Sequence, residues 1–248
     1  MALAGLAACS GRPAAPERPV LVVAAASDLN PAFTEAGRRF EAQHRVTVSV
    51  SFGSTGHLSK QIENGAPFDV FAAASAEYVE GLAGKGLVLE GTSRVFAEGY
   101  LAIWQPSDAP WMADGVADLD RPEIRRIAIA NPQHAPYGRA AEQALRAAGL
   151  WERLQPKIIF GETVTQALQF AATGNADAAV VALSISQRPG GRQVPVDRSL
   201  YTPLRQSICV LKSTRQEALA RAFIALIAGA DGRALLRRYG FGVPPEGP

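Results

Sequence analysis

Four short segments carry the residues with the most chemistry to offer: Ala24-Ala25-Ala26-Ser27-Asp28, Phe52-Gly53-Ser54-Thr55-Gly56, Asn131-Pro132-Gln133-His134-Ala135-Pro136-Tyr137-Gly138 and Gly161-Glu162-Thr163-Val164. Each follows an apolar, strand-like run and leads into a helix-like one. A helix N-terminus presents backbone N–H groups without intrahelical acceptors and a partial positive charge, and together these bind anions. Ser27, Ser54 and Thr55 add hydroxyl donors, while Gly53 and Gly56 allow close approach of the backbone to a ligand. No lysine or arginine lies in any of the four segments. The implied ligand is therefore an anion held by neutral, preformed dipoles rather than by salt bridges, whose cations are costly to desolvate. A donor-only array suits a fully deprotonated oxyanion, whereas hydrogen phosphate also needs an acceptor, so a small dianion is the expected guest. Taken singly, a Ser or Thr before a helix is a plain N-cap and a loop Gly a turn residue. Four such segments in one chain favour binding. Asp28 runs against the pattern, because a carboxylate beside a dianion is repelled by ~1 kcal/mol or more. It either turns away to support the first turn of its helix or accepts a proton from a protonated oxyanion; the first is the simpler expectation.

The elements that must position these segments are read from periodicity. Apolar or β-branched runs predict strands at residues 20–25, 46–52, 68–73, 101–104, 127–130, 158–160 and 178–181. Helical spacing predicts helices from the Asn30-Pro31 start, and over residues 57–64, 139–148, 165–173, 217–228 and 232–239. Strands alternating with helices predict an α/β fold, in which ligands bind beyond the carboxyl ends of the strands. Residues 184–199, with Pro189-Gly190-Gly191 and several charges, are expected to form a surface excursion. With no clean boundary in sequence, two lobes joined by more than one crossing are expected. The chain would leave the first near residues 98–100 and return near residues 204–207, which permits hinge closure on a ligand.

Composition excludes several alternatives. With 48% hydrophobic and 19% charged residues in a chain of 248, a real core can form. The 25 basic and 23 acidic residues are interspersed, giving a formal charge of +2 and no basic footprint for nucleic acid. The three histidines (His44, His57, His134) are scattered and the two cysteines (Cys9, Cys209) lie far apart, so no metal-ligand spacing is present. Cys209 sits in an apolar run and reads as a buried strand residue. No Gly-x-Ser-x-Gly elbow follows a strand and no carboxylate has an orienting position for His57 or His134, which argues against a hydrolase. Dinucleotide binding lacks its glycine fingerprint. No enzyme activity, metal ion or organic cofactor is expected.

Residues 1–19 read as an address. An apolar start, Leu6-Ala7-Ala8-Cys9 and a polar, Pro-rich stretch resemble the end of a lipoprotein signal, with Cys9 as the lipidated residue and the following stretch as a tether. No basic segment precedes the run, which leaves room for a start further upstream. Beyond the first few positions no run of 18 apolar residues occurs, so no membrane-spanning helix is predicted.

Taken together, Ala24-Ala25-Ala26-Ser27, Ser51-Phe52-Gly53-Ser54-Thr55-Gly56, Asn131-Pro132 with Ala135-Pro136-Tyr137-Gly138, and Gly161-Glu162-Thr163-Val164-Thr165-Gln166-Ala167-Leu168 resemble the motifs of the periplasmic molybdate-binding proteins, the ModA family. Glu63-Asn64-Gly65-Ala66-Pro67-Phe68-Asp69 and Arg238-Tyr239-Gly240-Phe241 match its habits too, and the resemblance runs in order from Val20 to Phe241. It implies a two-lobed type II periplasmic binding protein fold with the ligand cleft between lobes, here residues 20–98 plus 207–248 and residues 99–206. It also implies a monomer that captures molybdate or tungstate and delivers it to an ABC permease with its ATPase. Carried over by residue, Ser27, Ser54 and Thr55 supply donors from the first lobe, and Tyr137 and Val164 supply backbone N–H groups from the second. Some members add a tyrosine hydroxyl just after the strand ending near Val181; Ala182 stands there in this chain, so the Tyr137 loop must compensate. Sulfate or another tetrahedral oxyanion, and an oxyanion sensor, remain open as alternatives, because size selection is not written in a sequence.

Overall fold

The structure, a computed structural model, describes residues 18–244. Two five-stranded mixed sheets organise it. The first has β1 (Val20–Ala26) between β2 (Thr47–Gly53) and β3 (Val70–Ala73), all parallel, followed by β10 (Leu204–Val210) antiparallel to β3 and to the edge strand β4 (Arg94–Gly99). The second repeats the plan. β6 (Ile127–Ala130) lies between parallel β7 (Ile158–Gly161) and β8 (Ala178–Ala182), and β5 (Leu101–Pro106) runs antiparallel to β8 and to the edge strand β9 (Gly191–Pro195).

The sequence explains which strands are central. β3, β6 and β8 are buried throughout and are continuous apolar runs, as strands covered on both faces must be. β2 alternates exposed and half-buried residues, as befits an edge. Helix α1 (Asn30–His44) has Pro31 in its first turn and buries Phe33, Ala36, Gly37 and Phe40 at helical spacing. It ends at Arg45, which takes a left-handed conformation (φ 53°). Phe33 and Phe40 meet Phe223 of α8 (Glu217–Ala228) edge-on at centroid distances of 5.9 and 5.4 Å, tying the last helices back onto the first sheet. Helix α9 (Ala230–Arg238) follows directly, and Arg238 pairs with Glu35 of α1.

Three features depart from the expected elements. Residues 184–199 are not a plain excursion. They hold part of a one-turn helix α7 (Leu183–Ser186), with Ser184 and Ser186 buried, and the edge strand β9, whose Arg192 and Gln193 masked an apolar pattern. Strand β4 and helix α3 (Ala76–Gly84) were also unanticipated, α3 because two glycines interrupt it. The chain passes from the first sheet to the second at Tyr100, between β4 and β5, and returns through residues 196–203. The crossings run side by side: Val196 N–H donates to the Leu101 carbonyl at 3.0 Å, and Leu204 pairs with Gly99.

Candidate oxyanion site

Within each sheet the strand order reverses at one strand, β1 between β2 and β3 and β6 between β7 and β8. Loops at such a switch point open a crevice beyond the strand ends. The register sets those loops level: Ala26 lies opposite Gly53, and Ala130 opposite Gly161. The two crevices face each other. Between them lies a small cavity, about 200 Å³ with its mouth included. Ser27, Ser54, Thr55, Tyr137 and Val164 all line it, as does Asp28, and no lysine or arginine does.

Each residue sits where its helix begins. Ser27 opens a 3-10 turn leading into α1. Thr55 is the first residue of α2 (Thr55–Glu63), after Ser54 as N-cap. Tyr137 follows Pro136 in the first turn of α4 (Pro136–Ala147), and Val164 opens α6 (Val164–Ala172) behind its N-cap Thr163, whose hydroxyl accepts from Gln166 N–H at 3.1 Å. First-turn amides have no intrahelical acceptor, so the N–H groups of Thr55, Tyr137 and Val164 are available to a guest in the cavity.

The three hydroxyls differ. Thr55 Oγ1 accepts from the buried Ala74 N–H at 3.1 Å, which orients it and leaves its own proton to donate. Ser27 Oγ bonds to no protein group among the described residues. Ser54 is otherwise engaged: its Oγ lies 2.8 Å from His134 Nδ1 and 3.1 Å from the His134 carbonyl oxygen. Its single proton serves one of these, so the expectation of a hydroxyl donor at Ser54 gives way to that of a clasp between the two halves. Gly56 completes the clasp, donating its N–H to the same carbonyl at 2.9 Å. A Cβ on Gly56 would stand 2.7 Å from that oxygen, so only glycine permits this approach.

Asp28 lies in the first turn of the 3-10 helix, as expected, but its side chain also reaches into the interior. Its carboxyl is buried, with Oδ2 accepting from Gln206 Nε2 of β10 at 2.8 Å and Oδ1 without a partner among the described residues. Burial pushes its pKa up to about 7, although the neighbouring Tyr137 hydroxyl and Gln206 amide favour the charged form. Gln206 Nε2 also reaches the Tyr137 hydroxyl at 3.2 Å, and that hydroxyl fills the space above Gly99, where a Cβ would be 2.0 Å away. Nothing in the sequence near Gln206 signals this role, since its partner lies far along the chain. Two further bonds join the halves here: Thr165 Oγ1 donates to the Ser27 carbonyl at 3.2 Å and Ser184 Oγ to the Asp28 carbonyl at 2.9 Å. Ala182 ends β8 fully buried and does not line the cavity.

At the cleft mouth the fold overturns the reading of the histidines as scattered. His57 of α2 and His134 stack with centroids 3.9 Å apart, and Glu162 Oε2 lies 3.8 Å from His57 Nδ1 and 3.5 Å from His134 Nε2. Burial, then the adjacent His57, holds His134 below the usual histidine pKa. Cys209 is buried in β10, its thiol pushed up to about 12 by burial. Cys9 and the N-terminal address lie outside the described residues. No helix among the described residues is long and apolar enough to cross a membrane.

This architecture recurs in known proteins. The family model for bacterial extracellular solute-binding proteins matches residues 21–242. The molybdate-binding protein ModA of Azotobacter vinelandii is 35% identical over 246 residues, covering 97% of this chain and 94% of its own. That of Rhodobacter capsulatus is 34% identical over 223 residues, covering 90% and 87%. The solved structure of the Azotobacter vinelandii periplasmic molybdate-binding protein superposes with a TM-score of 0.83 at 32% identity, covering 90% of this chain and 99% of that one. With two mixed sheets facing a common cleft, and relatives of this identity over nearly its whole length, the chain belongs to the bacterial extracellular solute-binding proteins and, among them, to the ModA family.

Proposed function

We propose that this chain is an extracytoplasmic binding protein that captures molybdate, and tungstate with it, and delivers the oxyanion to an ABC permease driven by its ATPase. The observation that carries this reading is the convergence of helix N-termini from both sheets on one small cavity without a cation. The first sheet with its helices acts as one lobe and the second sheet with its helices as the other, the boundaries expected at residues 98/99 and 206/207 moving to Tyr100 and to the start of β10 so that neither β4 nor β10 is divided. Ser27 and Thr55 donate hydroxyl protons from the first lobe, with backbone N–H groups of that lobe beside them. Tyr137 and Val164 donate backbone N–H groups from the second. Because each lobe holds only part of the donor set, a bound oxyanion draws the lobes together. The Ser54–His134–Gly56 clasp then holds them. A molecule of this kind performs no chemical step on its guest. It acts as a monomer, and a lipid on Cys9 keeps it at the membrane surface near its permease.

Hydrogen bonds to a charged group contribute ~1.5–3 kcal/mol each, so a handful of preformed donors accounts for tight capture without salt bridges. The test is a calorimetric titration with molybdate, tungstate, sulfate and phosphate. The reading expects one-to-one binding of the first two, with sulfate and phosphate at least a hundredfold weaker. Tight phosphate binding would instead make Asp28 an acceptor for a protonated oxyanion, and no binding of any of the four would remove the function.

A further inference from the structure

We propose that His57, His134 and Glu162 form a binding site for a divalent transition-metal ion of the zinc type, assembled across the mouth of the closed cleft. The three residues come from different elements: His57 from α2 on the first sheet, His134 from the loop before α4, and Glu162 from the loop before α6 on the second. One ligand atom from each lies within 4.8 Å of the other two. The Glu162 Oε2 distances of 3.5 Å to His134 Nε2 and 3.8 Å to His57 Nδ1 approach the spacing of about 3.3 Å between ligands of a tetrahedral zinc ion with bonds of about 2.0–2.1 Å. Because the two rings stack, convergence of both nitrogen lone pairs on one ion also requires the exposed His57 ring to rotate out of the stack. No lysine or arginine pairs with Glu162 among the described residues, so its charge is not already neutralised by a permanent cation.

The surroundings fit a ligand set. His134 is the least exposed member and is held in place: its carbonyl oxygen accepts from Gly56 N–H at 2.9 Å, and its Nδ1 lies 2.8 Å from Ser54 Oγ. A metal ion on Nε2 requires the proton on Nδ1. Ser54 Oγ is placed to accept that proton's hydrogen bond while its own hydroxyl donates to the His134 carbonyl at 3.1 Å. This is the outer-shell arrangement that orients a ligating imidazole. Two histidines and one carboxylate leave a fourth position, which faces solvent at the mouth and takes a water. Since the ligands span both halves, the ion would hold the cleft shut. Only this coupling rests on the closure proposed above.

The test uses the 248-residue chain with Cys9→Ser, which leaves the buried Cys209 as its only thiol. Zinc chloride is titrated calorimetrically with and without saturating molybdate, and cobalt chloride replaces it for visible spectroscopy. The expected result is one ion per chain, tighter by at least threefold with molybdate, and cobalt bands of a four-coordinate N/O site. His57→Asn and Glu162→Gln should each weaken zinc binding at least tenfold, while molybdate affinity in the presence of a chelator stays within twofold of the parent. Both substitutions fall on exposed side chains, and equal metal-free melting temperatures check the fold. Absence of one-to-one zinc binding, binding undiminished by both substitutions, or the spectrum of hydrated six-coordinate cobalt would overturn the site. None of these outcomes touches the chelator-treated molybdate titration, so the metal and oxyanion proposals fail separately.

Discussion

Replacing Asp28 by Asn tests the site at its most unusual residue. The carboxyl is 1% exposed, accepts from Gln206 Nε2 on Oδ2, finds no partner for Oδ1 among the described residues, and has its pKa pushed by burial from its ordinary 3.8 up to about 7. A guest in the cavity brings negative charge close to it. At ~5 Å and an effective dielectric of ~20, each unit of like charge costs ~3 kcal/mol. A dianion therefore binds the form in which Asp28 carries a proton. Below pH 7 that proton is already present, and affinity should be nearly flat. Above pH 7 binding must take it up, so Kd should rise towards tenfold per pH unit, or ~1.4 kcal/mol. Asp28→Asn cannot ionise and should give a flat profile from pH 6 to 9, with affinity at pH 6 close to that of the parent. Stability follows the same sign. A folded-state pKa raised above the unfolded value means that the carboxyl's contribution is intact below about pH 4 and is lost as pH rises through about 7. The loss is at most ~4 kcal/mol for a shift of about three units, and at pH 8 the Asn variant should melt above the parent. Titration calorimetry in two buffers of different ionisation enthalpy counts the proton directly. Parent affinity that stays constant to pH 9, or a slope that survives in Asp28→Asn, would show that the carboxyl is not the proton carrier.

The hydroxyls separate in the same assays. Ser27→Ala should weaken molybdate binding by ~1–3 kcal/mol with stability within ~0.5 kcal/mol of the parent, because Ser27 Oγ has no protein partner among the described residues. Thr55→Val should lose as much affinity and also ~1–3 kcal/mol of stability, since the buried Ala74 N–H loses its acceptor; chemical denaturation of both variants decides this, and equal stability losses would contradict the assignment. Gly56→Ala should reduce oxyanion affinity at least tenfold, its Cβ meeting the His134 carbonyl at 2.7 Å, while the ligand-free protein gains up to ~1 kcal/mol from helix propensity. Parent-like affinity there would mean that the clasp does not govern closure. In a Cys9→Ser background the Cys209 thiol, pushed up to about 12 and buried, should not react with a thiol reagent at pH 8 until the protein unfolds.

The α/β class was legible because burial on both faces forces β3, β6 and β8 into apolar runs too short for helices, set between longer amphipathic segments. The helix starts were legible because capping chemistry is local: Ser54 and Thr163 each accept from an amide three residues on. The same locality set the limit. Whether a cap hydroxyl also faces a cavity depends on partners far away in sequence, so Ser54 and Thr55 look alike in the chain, yet one clasps His134 and the other steadies itself on Ala74. β9 was hidden because an edge strand need bury only one side and tolerates arginine and glutamine on the other. The histidine cluster was hidden for a related reason. Ligand spacing is recognisable in sequence when one helix or loop supplies the ligands, whereas His57, His134 and Glu162 meet only when two sheets face each other.

Tyr137 connects these levels. At its backbone it belongs to the first turn of α4, where its amide faces the cavity. At its hydroxyl it occupies the space above Gly99, the last residue before the chain crosses between sheets, and it accepts from Gln206 on the strand by which the chain has returned. Gln206 in turn holds Asp28. The amide proposed to meet the oxyanion, a carboxyl whose charge would oppose it, and strand residues beside the crossings thus share one buried polar cluster. Its unsatisfied Asp28 Oδ1 and Gln206 Oε1 carry an energetic cost that an apolar core would avoid. A rigid binding pocket has no need of polar groups buried between its crossings. In the closure proposed above such groups have a use, because neutralising the carboxyl and docking the tyrosine would be parts of one event.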